Sequence, residues 1–330
     1  MIFVDNANTT DPRINLAIEE YILTHFDEHD VYLLFYINEP SIIIGKNQNT
    51  IEEINRDYVN DHNLHVVRRL SGGGAVYHDL GNLNFSFITN DDGNSFSNFK
   101  KFTEPVVEAL QQMGVPAELS GRNDLHADGR KISGNAQFAT KGRMFSHGTL
   151  MLDSEIENVV SALNVSDEKI RSKGIKSIRS RVANINEFIE APLSMEEFKE
   201  RLLQSIFAGD ANFSRYTLTD EDWEKIKQIS EERYQKWEWN YGKSPSYDIK
   251  RSKKFQAGLV DFRFKVKKGV ISEMNIFGDF FGTGEIEEAE AHFVGTRYKE
   301  EDIRVAVEQL DTKKYFGAID REDLITLITS

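Results

Sequence analysis

Residues 68–79 of this chain read Arg68-Arg69-Leu70-Ser71-Gly72-Gly73-Gly74-Ala75-Val76-Tyr77-His78-Asp79. The apolar run Val66–Leu70 predicts a strand, and the three successive glycines after it leave several backbone N–H groups unobstructed by side chains. Such a loop can fold closely around an anion, and the two arginines place fixed positive charge beside it. The simpler alternative is a plain turn next to a surface arginine pair. The residue types favour a ligand-binding loop over that turn.

The common phosphate-binding motifs do not match this chain. A dinucleotide fingerprint that starts at Gly72 needs glycine at position 77, which is Tyr77. Gly129 and Gly134 have the spacing of a P-loop, but Asn135-Ala136 stand where that motif needs Lys-Ser/Thr. Any nucleotide site in this chain is therefore neither a P-loop nor a Rossmann site.

A second segment runs from Ser120-Gly121-Arg122-Asn123-Asp124-Leu125 to Arg130-Lys131-Ile132-Ser133-Gly134. Lys131 lies in a predicted strand between two glycine-containing turns, where its charge could neutralise a phosphate or polarise a carbonyl group. Asp124 could hold a hydrated Mg²⁺ ion, which often takes only one or two carboxylates besides phosphate. Taken alone, each residue is more simply explained as a surface lysine and a turn aspartate.

A third segment, residues 172–182, concentrates basic residues in an otherwise acidic chain. Lys173, Lys176, Arg179 and Arg181 fall within nine positions, and neither helical nor strand periodicity explains their spacing. A basic loop that closes over phosphates would explain it. By itself, the segment is better explained as a solvated run of charges.

The composition excludes several classes of protein. The 330 residues include no cysteine and carry a formal net charge of −14. Without cysteine there can be no disulfide scaffold, thiolate-bound zinc, iron–sulfur cluster or thioester on the protein. The negative charge argues against nucleic-acid binding. No apolar run approaches the ~20 residues of a membrane span, and no secretory signal is recognisable, so we expect a cytoplasmic protein without a membrane partner.

Hydrophobic periodicity and turn residues predict an α+β fold in two domains. Strands are expected at Val31–Ile37, Ser41–Ile44, Val66–Leu70, Leu83–Ile88 and Met144–Leu152, with hairpin turns at residues 126–129 and 141–143. Helices are expected from Thr50 through Tyr58, at Val106–Met113 after Pro105, at Met195–Phe207 and at Glu221–Trp237. A hairpin of Phe255–Val266 and Val270–Phe277 should precede a helical stretch, Glu285–Leu310. The predicted boundaries are a first domain at 1–242, a linker at 243–252 and a small α+β domain at 253–330.

Taken together, the three segments resemble the lipoate–protein ligase family. The resemblance continues through Leu80-Gly81-Asn82-Leu83-Asn84-Phe85, His147-Gly148-Thr149-Leu150 and Trp237-Glu238-Trp239-Asn240-Tyr241-Gly242. It covers nearly the whole chain, including the small C-terminal domain of the bacterial two-domain ligases. The implied fold is a catalytic domain like those of biotin and lipoyl ligases, a mixed sheet flanked by helices.

The resemblance implies an ATP-dependent ligase that converts lipoate to lipoyl-AMP and pyrophosphate. It then transfers the lipoyl group to a lysine of lipoyl domains in 2-oxoacid dehydrogenase complexes or of the glycine cleavage H protein. Lys131 matches the catalytic lysine, and Asp124 is a candidate Mg²⁺ ligand. The implied adenylate-covering loop contributes Lys173, Gly174, Arg179 and Arg181. The implied ATP and lipoyl-adenylate contacts are Arg69, Ser71, Gly72, Gly73, Gly74, Ala75, Val76, Tyr77, His78, Asn82, Asn123, Asp124, Lys131 and His147.

Two other functions are open at this point. A lipoyl or octanoyl transferase shares the fold, but the known lineages use an active-site cysteine as acyl acceptor, and this chain has none. A lipoate-binding or regulatory protein without catalysis would bind lipoate and release no pyrophosphate. The presence of Lys131 and Asp124 argues against that second alternative.

Overall fold

The computed structural model describes residues 1–27, 29–163, 180–209, 213–242, 248–267 and 269–329. The chain divides into two compact units. The first unit contains residues 1–43, 53–68 and 76–240, and the second contains residues 44–52, 69–75 and 241–330. Two short segments within the predicted first domain, 44–52 and 69–75, therefore group with the C-terminal residues.

A mixed sheet forms the centre of the first unit. Its order is β11-β1-β2-β6-β10-β9-β8-β7, with β1 parallel to both of its neighbours and the other pairs antiparallel. A small sheet has the order β4-β3-β5. The strands are β1 Ile2–Asp5, β2 Tyr32–Ile37, β3 Ser41–Ile44, β4 His65–Arg68, β5 Val76–His78, β6 Asn82–Asn90, β7 Ala117–Ser120, β8 Asp124–Ala127, β9 Arg130–Thr140, β10 Arg143–Met151 and β11 Arg215–Thr217.

Helices flank this sheet, as predicted. Apolar side chains of the helices Phe99–Gln112 and Met195–Ile206 share one buried core with the sheet residues Leu33 and Phe85, while the helix Pro12–His25 packs on β2, β6 and β10. The helices before residue 241 are α1 Pro12–His25, α2 Thr50–Glu53, α3 Arg56–Asp61, α4 Phe99–Gln112, α5 Ile156–Ala162, α6 Met195–Ile206, α7 Asp220–Ile229 and α8 Trp237–Asn240. A 3₁₀ turn covers Ile185–Phe188, and a π-helical turn covers Ser230–Tyr234.

The helix predicted at Val106–Met113 is longer than expected. It begins at Phe99, and the side chain of Asn98 accepts a hydrogen bond from the Lys101 amide as its N-cap. Pro105 lies inside the helix instead of opening it. The buried side chains of Phe99 and Phe102 extend the apolar face by a turn, so packing outweighs the backbone hydrogen bond that the proline removes.

Two other predicted helices are interrupted. The stretch from Thr50 forms two short helices, because Asn55 caps a new one. The long helix expected at Glu221–Trp237 ends as an α-helix at Ile229 and continues as the π-helical turn. The spacing of apolar and charged residues reveals neither break.

In the second unit, three antiparallel strands pack against helices around a phenylalanine-rich core. Phe262, Phe264, Phe280, Phe293 and Phe316 are fully buried there. The predicted hairpin is present, and the helical stretch from Glu285 divides at Gly295, whose φ is 91°. The elements are β12 Ile249–Phe255, β13 Gly258–Lys267, β14 Val270–Gly278, α9 Ile286–Phe293, α10 Glu300–Gln309, α11 Thr312–Phe316 and α12 Arg321–Thr329.

Candidate active site

Lys131 and Asp124 form an ion pair on the β8–β9 hairpin of the first unit. The turn residues Asp128 and Gly129 have φ of 47° and 74°, as the predicted two-residue hairpin turn requires. Nζ of Lys131 lies 2.9 Å from Oδ1 of Asp124, with the two side chains 36% and 32% exposed. The lysine charge is therefore held in place yet remains accessible to a ligand.

Gly134 leaves space for the tip of the lysine side chain. A Cβ atom at Gly134 would lie 3.0 Å from Nζ and 3.2 Å from Cε of Lys131. The Gly134 amide donates to Oγ1 of Thr149 at 3.1 Å, which joins this point of β9 to β10. The pattern of residue types predicts no role for Gly134, although it ends the second segment described above.

Asn123 connects the end of the β7–β8 turn to β9. Its Nδ2 donates to the carbonyl oxygen of Asn135 at 2.5 Å, and its own carbonyl accepts from the amide of Asn135 at 2.9 Å. These bonds fix the backbone on either side of the ion pair. Asn123 thus has an observed structural role beside the ligand contact that the sequence predicts.

The backbone of Lys131 also binds the end of the third segment and the residue that follows it. Its amide donates to the carbonyl oxygen of Arg181 at 2.7 Å, and its carbonyl accepts from the amide of Ala183 at 2.9 Å. Arg181 is exposed at this point. The other residues predicted for the covering loop, Lys173, Gly174 and Arg179, lie outside the described residues.

His147 is buried against α1. Its Nδ1 lies 2.9 Å and 3.1 Å from the two carboxylate oxygens of Glu19, and both side chains are less than a tenth exposed. This pair joins the middle of β10 to the helix above the sheet. The predicted ligand contact of His147 remains a prediction beside this structural pairing.

Residues 76–78 form β5, which pairs with β3, and Asn82 begins β6. The His78 ring is buried, and its Nδ1 lies 3.0 Å from Nδ2 of the buried Asn38. Nδ2 of Asn82 donates to Oδ1 of Asn84 at 3.2 Å. Tyr77 is half-buried, and burial raises the pKa of its hydroxyl. Val76 is likewise half-buried.

In the second unit, the glycine loop is closed by its own arginine. Nη2 of Arg69 donates to the carbonyl oxygens of Gly72 at 2.7 Å and Gly74 at 2.8 Å, and Nε donates to Oγ of Ser71 at 3.0 Å. Arg69 and Ser71 are both buried. The guanidinium therefore orders the loop, a role that the sequence analysis did not assign to it.

The C-terminal residues support the same loop. A Cβ atom at Gly72 would come within 2.6 Å of the Phe280 carbonyl oxygen. Gly73 has φ of 90°, a conformation that favours glycine, and a Cβ atom there would meet Arg69 Nη2 at 3.0 Å and the Phe281 ring at 3.4 Å. Apart from Gly74 itself and its two chain neighbours, no described residue has a heavy atom within 4 Å of the Cβ position at Gly74, which is followed by the half-buried Ala75.

Arg68, which the sequence analysis paired with Arg69 as a source of positive charge, is fully buried in the first unit. Its Nε donates to the carbonyl oxygen of Trp239 at 2.9 Å, and its carbonyl accepts from the indole N–H of Trp239 at 2.8 Å. The Arg68 amide donates to Oδ1 of Asn240 at 2.9 Å. Arg68 thus anchors the Trp239-Asn240 segment, and no signal at Arg68 itself separates it from its neighbour.

Among the described residues, no group of three or more histidine or acidic side chains is arranged to hold a metal ion. At the ion pair, Asp124 would supply a single carboxylate. That suits Mg²⁺, which binds few protein ligands when phosphates complete its coordination. The helices of the described residues include none that is long and apolar enough to span a membrane.

Two protein families match the chain. Residues 11–207 match the family described as lipoyl protein ligase A/B catalytic domain. Residues 244–328 match the family described as bacterial lipoate protein ligase C-terminus. The two matches follow each other along the chain, as in a two-domain ligase.

Full-length relatives are similar throughout. Lipoate-protein ligase LplJ of Bacillus subtilis is 62% identical, covering 99% of this chain and 100% of that protein. Lipoate–protein ligase 1 of Staphylococcus aureus is 56% identical, covering 100% of both. Similarity at this level extends over both units.

Solved structures share the fold. P. falciparum LipL1 in complex with lipoate superposes with a TM-score of 0.80 at 25% identity, covering 100% of this chain and 99% of that one. A lipoate-protein ligase A bound with ATP gives a TM-score of 0.62 at 29% identity, covering 73% of this chain and 98% of that one. The predicted mixed sheet with flanking helices is thereby confirmed as the fold of lipoate ligases.

Proposed function

Because this chain belongs to the lipoate–protein ligase family, we propose that it is an ATP-dependent ligase that attaches lipoate to a lysine of an acceptor protein. The reaction has two steps. A lipoate carboxylate oxygen attacks the α-phosphorus of ATP, and the bond to pyrophosphate breaks, which gives lipoyl-AMP. The acceptor amine then attacks the carbonyl carbon, the bond to AMP breaks, and an amide forms with loss of a proton.

The observation that carries this proposal is the amine of Lys131, which is held 2.9 Å from Asp124 and is still about one-third exposed. Both steps develop negative charge on oxygen, at the α-phosphate and then at the carbonyl. A fixed ammonium group stabilises such charge without reorganising during the reaction. Lys131 is therefore the proposed catalytic residue. Asp124 and Asn123 fix the lysine and its strand beside the adenylate.

The glycine loop of the second unit is the proposed binding element for the lipoyl group and adenylate. Arg69 and Ser71 order the loop, so the amide groups of Gly73, Gly74 and Ala75 need no rearrangement before binding. Val76, Tyr77, His78, Asn82 and His147 are proposed as further contacts. The solved relatives bound to lipoate and to ATP support these two substrates.

Mg²⁺ is the proposed metal, brought by ATP and bound by Asp124 as a lone carboxylate. Proposed acceptors are lipoyl domains of 2-oxoacid dehydrogenase complexes and the glycine cleavage H protein, in the cytoplasm. A solved structure of an archaeal lipoate ligase with its E2 lipoyl domain supports the first class. The basic segment with Lys173, Gly174, Arg179 and Arg181 is proposed to cover the adenylate.

An acyl-transfer assay tests the complete reaction. The protein is incubated with ATP, Mg²⁺, lipoate and a purified lipoyl domain, and the modified lysine is located by mass spectrometry. We expect one lipoyl amide on the acceptor lysine, dependent on ATP, and none on an acceptor whose lysine is replaced by arginine. Lipoate binding without any modification would instead favour the non-catalytic alternative.

A further inference from the structure

The strand that carries Lys131 contains a β-bulge. Leu125 pairs with Ser133, but the next residue on β8, His126, pairs with Lys131, so Ile132 has no partner opposite it in this register. Side chains alternate along a regular strand, which would put residues three apart on opposite faces. The extra residue reverses that alternation, and Lys131 and Gly134 come to share one face.

Asp124 lies on the same face, because it is the cross-strand partner of Gly134. A Cβ atom at Gly134 would be 3.8 Å from Oδ1 of Asp124 and 3.0 Å from Nζ of Lys131. The tip of the lysine side chain thus lies closer to the Cβ position of residue 134 than side chains ordinarily approach, while its amine contacts the carboxylate of Asp124. A side chain at 134 would make that tip shift.

We propose that Gly134 is a positioning residue for Lys131, and that its missing side chain sets where the amine points. This inference rests on the proposed function of Lys131. Catalysis by a fixed charge depends steeply on placement, and an error of about 1 Å can cost about 100-fold in rate. Gly134 acts only through the lysine, since it carries no group that could take part in the reaction.

If Gly134 were needed only for folding, its replacement would lower the stability of the protein together with its activity. The φ angle of Gly134 is outside the left-handed region, so alanine fits its backbone. In such a position alanine stabilises a protein by about 0.4–1 kcal/mol, because it restricts the unfolded chain. The atom that a new methyl group would meet is the flexible tip of Lys131, which can move away at little cost. Replacing Gly134 should therefore separate activity from stability.

The test compares Gly134→Ala and Gly134→Val with Thr140→Val, a control at the far end of the same strand. The free energy of unfolding, the dissociation constant of lipoate and the single-turnover rate of lipoyl-AMP formation are measured for each. We expect the adenylation rate to fall about 10-fold with alanine and further with valine, with lipoate affinity within twofold of wild type. The free energy of unfolding of both Gly134 variants should equal or exceed that of wild type. Thr140→Val should form lipoyl-AMP at the wild-type rate.

A second readout does not depend on catalysis. Acetic anhydride labels lysine amines, and mass spectrometry of the peptides gives the labelling rate of Lys131. Once displaced from Asp124, the amine should react several times faster in Gly134→Ala than in wild type. If wild-type protein forms no lipoyl-AMP, the proposed function fails, but the labelling rates still decide the positioning role. Unchanged labelling and adenylation in Gly134→Val, or a loss of rate matched by a loss of stability, would overturn it.

Discussion

Nη2 of Arg69 donates a hydrogen bond to the carbonyl oxygen of Gly72, three residues along the chain, at 2.7 Å. The same nitrogen donates to the carbonyl of Gly74 at 2.8 Å, so one buried guanidinium fixes the loop at two points. With the carbonyls bound to the arginine, the loop is held in one conformation before any ligand arrives. The ligand contact predicted for Arg69 stays a prediction beside this ordering role.

Replacing Arg69 should weaken lipoate binding and loosen the loop together. Arg69→Ala leaves the carbonyls of Gly72 and Gly74 without this charged donor, at a cost of roughly 1–3 kcal/mol. Arg69→Lys should restore little, because an ammonium group lacks the planar fork that reaches several acceptors. Calorimetric titration with lipoate should show about 10-fold weaker binding or more in both variants. Wild-type affinity in Arg69→Ala would refute the ordering role.

Adjacent glycines of the loop should respond differently to alanine. Gly73→Ala places a methyl group 3.0 Å from Nη2 of Arg69 on a backbone with φ of 90°, so we expect a loss of about 1–2 kcal/mol in unfolding free energy. Gly74→Ala, which has open space, serves as the matched control and should unfold like wild type in urea. Equal stability of the two variants would contradict the description of the loop.

Removal of the C-terminal residues should abolish adenylation. Phe280 and Phe281 support Gly72 and Gly73, and truncation after Asn240 would remove both of them. Phe281→Ala tests the same support in the full-length chain, and we expect weaker lipoate binding with the fold intact by circular dichroism. Normal adenylation by a folded truncated protein would show that the loop needs no such support.

Acid should weaken the second unit through Glu52. Hydrogen bonds from Arg263 hold the pKa of the Glu52 carboxyl below its usual 4.5, with the charges of Arg263 and Lys250 acting in the same direction and burial opposing them. A carboxyl group whose pKa is lowered on folding stabilises the protein above its unfolded pKa and loses that contribution as the pH falls. The unfolding free energy should therefore decline below about pH 4.5.

Urea denaturation between pH 3 and pH 7 measures this dependence. Glu52→Gln should be less stable than wild type at pH 7 and should show a shallower decline in acid. Glu308→Gln, a change at an exposed glutamate of the same unit, should follow the wild-type curve. Parallel curves for wild type and Glu52→Gln would remove Glu52 as a source of the acid sensitivity.

Residue types that are close together in the sequence predict the hairpin turns and the strand around Lys131. The turns at Asp128-Gly129 and Lys141-Gly142 have the positive φ angles of two-residue hairpin turns, and Lys131 lies in a strand as expected. The complete fold is predicted by the resemblance to the lipoate–protein ligase family. The pattern of strands is compatible with that fold but also with other α+β folds. These features follow from residues that are neighbours in sequence.

Much of what the sequence could not predict depends on distant contacts. Arg68 is bonded to Trp239, about 170 residues later, and Gly72 lies against the backbone of Phe280. Pro105 is accommodated inside a helix because tertiary packing outweighs its local preference. The bulge at Ile132 leaves no signature in the pattern of residue types. Trp239 and Phe280 lie far from Arg68 and Gly72 in the sequence, whereas the bulge forms within the β8–β9 hairpin and involves near neighbours.

Lipoate-dependent exchange of labelled pyrophosphate into ATP tests the central claim most directly. This measurement isolates the first step, before any acceptor protein is needed. We predict rapid exchange by the wild-type protein with lipoate and none with biotin. Lys131→Ala should lose the exchange at least 100-fold while keeping its unfolding free energy within about 1 kcal/mol, because the lysine is a partly exposed residue. No exchange by the folded wild-type protein, or a wild-type rate in Lys131→Ala, would contradict the account.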